Sequence, residues 1–169
     1  MQKILFLTIS LLSILTSCKK KSQDNPILVN TISASVDGVK STFNTKAGAW
    51  QSKVAGTNVL VIVGEESTDV NSGLIKLEID TSSIITEGTY FMKVGIPNGF
   101  YSGTTISYVQ GYATLYPSLS TNPPNSITIS HINSTSVQGT FNVSLFGGLA
   151  GVTESKTITN GSFNVSISH

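Results

Sequence analysis

Apolar residues return at every second position along most of this chain, and nothing from Ile27 onward carries them at helical spacing. Leu74 to Asp80 is the cleanest case: Ile75, Leu77 and Ile79 fall on one face, Lys76, Glu78 and Asp80 on the other. Successive side chains of an extended strand point to opposite faces, so this period confines the chain to a sheet. The segments are also rich in Val, Ile, Thr, Tyr and Phe, which pack well on a pleated surface.

Turn signals divide the segments. Ile32–Val36 and Val39–Phe43 flank Asp37-Gly38, a dipeptide that accepts the positive φ angles of a tight hairpin turn. Trp50–Val54 and Val59–Val63 flank Gly56-Thr57-Asn58 and read as a second hairpin. Val59–Val63 is apolar on both faces, which predicts a central strand covered on both sides. Further strands are predicted at Leu74–Asp80, Thr89–Val94 and Ile106–Tyr116, the last bulged at Gly111. Ser126–Ile132 and Ser136–Phe146 pair about Asn133-Ser134, and Lys156–Thr159 and Ser162–Ser168 close the chain. About ten short strands at regular spacing predict an all-β fold, a single antiparallel β-sandwich. A closed up-and-down or calycin-like β-barrel is the alternative.

Composition removes several functions. With 39% hydrophobic and 11% charged residues, the chain is not a disordered tail. The net charge of +1 comes from ten lysines and no arginine, which argues against a nucleic-acid partner. One cysteine makes neither an internal disulfide nor a cysteine-only zinc site.

That cysteine stands at a telling place. Lys3 precedes an apolar run, Ile4–Leu15, which is too short to span a bilayer and has the form of a secretory signal peptide. The run ends in Leu15-Thr16-Ser17-Cys18, which resembles a bacterial lipobox. The resemblance implies cleavage before Cys18 and a diacylglyceryl thioether on its sulfur, with an acylated amine beside it. The organisation expected is a signal peptide at 1–17, a lipidated Cys18 and tether at 18–30, and one domain at 31–169. Lys19-Lys20-Lys21 opens a polar stem that reads as a solvated spacer, whose lysines can also touch anionic headgroups. No Asp follows Cys18, which favours the outer membrane of the cell envelope, with periplasmic and surface-facing orientations both open. The membrane is thus an expected partner through the lipid, and no other cofactor is expected.

Gly139-Thr140-Phe141-Asn142-Val143-Ser144-Leu145 is echoed by Gly161-Ser162-Phe163-Asn164-Val165-Ser166-Ile167. Two copies are too few for a solenoid and predict two equivalent strands on one core. The lipobox, the Ile32–Gly38 hairpin, Gly88-Thr89-Tyr90, Gly139-Thr140-Phe141 and Ile158–Phe163 together resemble a family of small Bacteroidota lipoproteins built on a domain of unknown function. That resemblance implies an all-β envelope domain and assigns no catalytic residue.

A search for chemistry is sparse. His131 and His169 offer no paired ligand spacing, so no transition-metal site is expected. No Gly-x-Ser-x-Gly elbow supports a hydrolase, which stands as a distant alternative. Glu66, Asp69 and Asn71, in a loop ending at Gly73, form a weak calcium candidate, since hard cations take such oxygens. The strongest candidate is aromatic. Tyr108, Tyr112 and Tyr116 share one face if the alternation runs unbroken, and Phe100 and Tyr101 sit in a Gly-rich loop. Such rings either stack on a ligand or fill a core. The expectation is a non-enzymatic domain that binds a glycan or another envelope protein, with a structural or assembly role as the alternative.

Overall fold

The computed structural model describes residues 30–69, 72–91, 104–110, 113–117, 125–147 and 155–168, with only the backbone of 110, 113–117, 144–147 and 155. Among the described residues eleven strands run in chain order: β1 Thr31–Val36, β2 Val39–Thr42, β3 Thr45–Val54, β4 Thr57–Glu65, β5 Gly73–Thr81, β6 Gly88–Phe91, β7 Thr105–Gln110, β8 Ala113–Pro117, β9 Ser126–Ile132, β10 Ser136–Gly147 and β11 Ser155–Ser168. The all-β expectation holds, and the strands make one continuous curled sheet in the order β2-β1-β11-β3-β4-β5-β7-β8-β10-β9-β6.

The first hairpin forms as its turn chemistry requires. Asp37 has φ 50° and Gly38 φ 82°, a two-residue turn of the type whose twist matches the flanking strands. Asp37 also ties this turn to the start of β11. Its Oδ1 accepts the Thr157 N–H at 2.8 Å and its Oδ2 accepts from Lys156 Nζ at 3.1 Å. The second hairpin turns one step earlier than its composition suggests. Val54 pairs with Thr57, and Ala55 and Gly56 take the positive φ angles.

Three departures from the sequence pattern define the architecture. First, the expected strand 106–116 is two strands, because Tyr108 pairs antiparallel with Leu115 and Gln110 with Ala113. The chain reverses near Gly111 where a bulge was expected. Second, the expected strands Lys156–Thr159 and Ser162–Ser168 are one strand, β11, which runs through a bulge at Asn160-Gly161. Asn160 has φ 52°, and the register against both β1 and β10 shifts there. Third, the sheet is not purely antiparallel. The end of β11 runs parallel to β3, pairing Ile167 with Ala49 and Ser168 with Trp50.

The long strands β10 and β11 pair with each other along most of their length. The free edge of β11 is divided between β1 and β3, and that of β10 between β9 and β8. The pairings therefore run round a ring, β11-β3-β4-β5-β7-β8-β10 and back to β11, with β1-β2 and β9-β6 attached beside it. Inside lies one core, to which Ile32, Phe43, Leu60, Ile62, Ile75, Leu77, Ile106, Ile127 and Phe141 contribute fully buried side chains. Each such side chain contributes about 1.5–3 kcal/mol relative to exposure.

The echoed motifs turn out to face each other. Gly139 pairs with Phe163 and Gly161 with Phe141, so each motif sets its glycine under the other's ring. The two rings lie side by side, with centroids 6.5 Å apart and planes at 24°. A Cβ on Gly161 would meet the Phe141 ring at 2.5 Å; on Gly139 it would meet Phe163 Cζ at 2.5 Å and clash with the Thr128 carbonyl. Overpacking of a filled core costs about 1–3 kcal/mol, and more where backbone must move. Gly139→Ala is therefore expected to lower the urea midpoint sharply, and Gly161→Ala by a smaller amount. Equal tolerance of both would show that the rings do not sit on the glycines.

Candidate functional site

Of the tyrosine row, Tyr108 is the member whose side chain is described, and it lies in the core. Tyr108 stands opposite Ile75 and is only 2% exposed. Its ring meets Phe43 edge-on, with centroids 6.2 Å apart and planes at 84°. Its hydroxyl reaches over Gly73, where a Cβ would lie 2.6 Å from Tyr108 Oη and 2.8 Å from Glu66 Oε2. Burial, with the Glu66 carboxylate and then Asp37 adding to it, pushes the Tyr108 phenol up to about 12. The candidate is thus a core residue, because the chain reversal after Gln110 changes which residues share its face. Leu115 is the register partner of Tyr108, and Tyr116 is one step out of phase with it. Tyr112, Phe100 and Tyr101 lie outside the described residues, as does Cys18.

The calcium candidate is a loop closed by its own backbone. Glu66 Oε2 accepts the Gly73 N–H at 2.9 Å, and the Glu66 N–H donates to the Gly73 carbonyl at 2.8 Å. Ser67 Oγ accepts the Asp69 N–H at 3.1 Å, and Ser72 Oγ donates to the Ser67 carbonyl at 3.0 Å. Asn71 is outside the described residues. Among the described residues no three His, Cys, Asp or Glu side chains gather as a metal would need.

An unbroken alternation along β9 would set His131 on the face of Ile127 and Ile129. A register shift between Gln138 and Gly139 puts it on the surface instead. There its Nδ1 lies 3.3 Å from Glu87 Oε1, and its Nε2 lies 3.2 Å from Asn133 Nδ2. The Asn133 amide oxygen caps the β9–β10 turn, accepting the N–H groups of Thr135 and Ser136 at 2.8 and 2.9 Å.

The surface with most recognition chemistry is the outer face of β3, β4 and β5, which the sequence reading passed over. Leu60 and Ile62 belong to the core, so Val61 points outward, yet it is only 4% exposed. Its cross-strand partners are Trp50 on β3 and Glu78 on β5. Trp50 is 41% exposed and is the single tryptophan of the chain. Lys76 and Glu78 form an ion pair on the same face. Beside them Asp80 Oδ1 is buried without a hydrogen-bond partner among the described residues. Desolvation, with Glu78 adding to it and Lys76 opposing it, raises the Asp80 carboxyl above its usual range.

With this geometry in view, comparisons with protein-family models, curated proteins and solved structures give no match.

Two pH-linked outcomes follow. The folded state holds the Tyr108 proton more tightly than the unfolded state, so stability is lost as pH rises from about 10 toward about 12. Tyr108→Phe should flatten that alkaline loss in thermal melts, and parallel curves for both proteins would refute it. Asp80 has the same sign at acid pH: stability falls as pH climbs from the ordinary carboxylate range to its raised folded-state pKa, and the loss is complete above that. Asp80→Asn should therefore raise the melting temperature at pH 7, by the equivalent of ~1 kcal/mol or less. The gain should vanish below the ordinary carboxylate range, and a lower melting temperature at pH 7 would refute the reading.

Proposed function

We propose that this chain is a lipid-anchored domain of the bacterial cell envelope that binds a glycan without acting on it chemically. The N-terminal run and Cys18 support the anchor, and the outer membrane is the favoured location. The curled sheet is best taken as a flattened barrel, since β10 and β11 each belong to both halves of the ring and leave no two separate sheets.

The observation that carries the binding reading is the half-exposed indole of Trp50 beside Val61. A flat apolar ring on a rigid strand stacks on the apolar face of a sugar ring, and fixed position lowers the entropy lost on binding. Lys76 and Glu78, two strands away on the same face, supply charged heads able to bond sugar hydroxyls. A structural or assembly role is the second reading. It is favoured by β6, which ends the sheet and holds Phe91 54% exposed. An edge of this kind accepts another strand.

The test uses the unlipidated domain and envelope polysaccharide fragments as the probe. Emission from the single tryptophan should shift on titration. Read by isothermal titration calorimetry, which needs no tryptophan, Trp50→Ala should melt like the parent and lose the interaction by tenfold or more, which corresponds to ~1.4 kcal/mol. Undiminished binding by a folded Trp50→Ala protein would move the site elsewhere.

A further inference from the structure

The two ends of the curled sheet differ in how the chain meets them, although both carry exposed apolar side chains, Val39 at the far end being 68% exposed. β11 runs toward Ser168, and β3 lies parallel beside that end and continues to Val54. The β3–β4 turn at Ala55-Gly56 is therefore at the end where β11 finishes. The 82–87 connection is held at this end too, since Asn58 Nδ2 donates to the Ser83 carbonyl at 3.0 Å and Asn58 pairs with Thr81. The chain also joins the domain here. Asn30 has φ 64°, and its Oδ1 accepts the Ser166 N–H at 2.8 Å. The β1–β2 turn sits at the opposite end, bonded to Thr157 near the start of β11.

Two large apolar side chains project from the end where the stem joins. Val54 is 61% exposed at the tip of its hairpin, and Ile84 is 81% exposed in the 82–87 connection. Ile84 contrasts with its neighbour Ile85, which is 8% exposed and belongs to the core. Packing within the domain explains Ile85 and does not explain Ile84. Lys53 adjoins Val54 and is exposed. Of the described acids at this end, Glu87 is faced by His131, and Asp80, opposite Val59, has one carboxylate oxygen buried.

We infer that this end rests on the bilayer, with Val54 and Ile84 among the lipid headgroups and Lys53 toward anionic phosphates. The inference rests on the lipid anchor proposed above. Residues 18–29 span at most about 40 Å when fully extended. The 14 residues of β11 are themselves about 46 Å long. A domain inverted on this stem would need nearly the whole stem stretched back along its side. The orientation with Asn30 toward the bilayer leaves the stem its freedom, and it presents these two apolar side chains to the interface. Val and Ile lower their free energy there, and Lys is attracted to anionic headgroups.

The test uses the full lipidated chain in vesicles of phosphatidylethanolamine and phosphatidylglycerol. Lipid consumes the Cys18 thiol, so Ile84→Cys and Val39→Cys each carry one environment-sensitive label. Val39 is 68% exposed and lies beside the β1–β2 turn at the far end, so neither substitution disturbs the core. The expected result is a blue shift at position 84, quenched by brominated lipid, with the label at position 39 remaining in water. If the chain floats with the vesicles while both labels stay in water, or only position 39 responds, the orientation is overturned and the anchor stands. A chain that fails to float overturns the anchor and this inference with it. A concentration-dependent shift at position 84 without vesicles would identify a second copy as the occupant and overturn the lipid assignment.

Discussion

Two phenylalanine rings lying across two glycines hold the centre of this fold. Phe141 covers Gly161 and Phe163 covers Gly139, so the β10–β11 pair is locked by a reciprocal contact. A glycine in a strand is ordinarily a weakness, since it has no side chain to pack. Here the missing side chain is the space that the opposite ring occupies. The contact fixes register, because a slip of one residue would drive each ring onto an occupied position. The rest of the ring depends on that register, since β10 and β11 are the strands through which it closes.

Closure also needs β11 to bend. Its outer edge must serve β1 along 158–164 and then β3 at 167–168. The bulge at Asn160 supplies the change of direction, and bulges increase local twist in this way. Asn tolerates a positive φ better than most residues, and Gly161 beside it leaves room for Phe141. The bend and the ring contact therefore use adjacent residues, Asn160 and Gly161.

The strand pattern was legible because burial on one face leaves a period of two in the sequence. Asp37-Gly38 was legible because few other dipeptides suit both turn positions. The gap left between the expected strands 156–159 and 162–168 is a bulge, and the single strand expected over 106–116 is two paired strands, for one physical reason. An Asn or Gly in the sequence suits a turn and a bulge equally well, and the choice depends on whether the chain goes on to find partners. Only tertiary pairing decides that. The error at Gly111 then spread to the site, since the face of every residue beyond it was counted through an unbroken strand. Tyr108 was placed with Tyr112 and Tyr116 by that count. Trp50 was missed although a signal existed. Val59–Val63 is apolar on both faces, so something had to shield its outer side, and the strand paired with it carries the tryptophan.

The Trp50 face and the bilayer end are linked by β3 itself. Trp50 and Val54 are four residues apart on one strand and on the same side of it, about 13 Å along its length. If Val54 rests among headgroups, the indole stands just above them, on a face running up from the membrane surface.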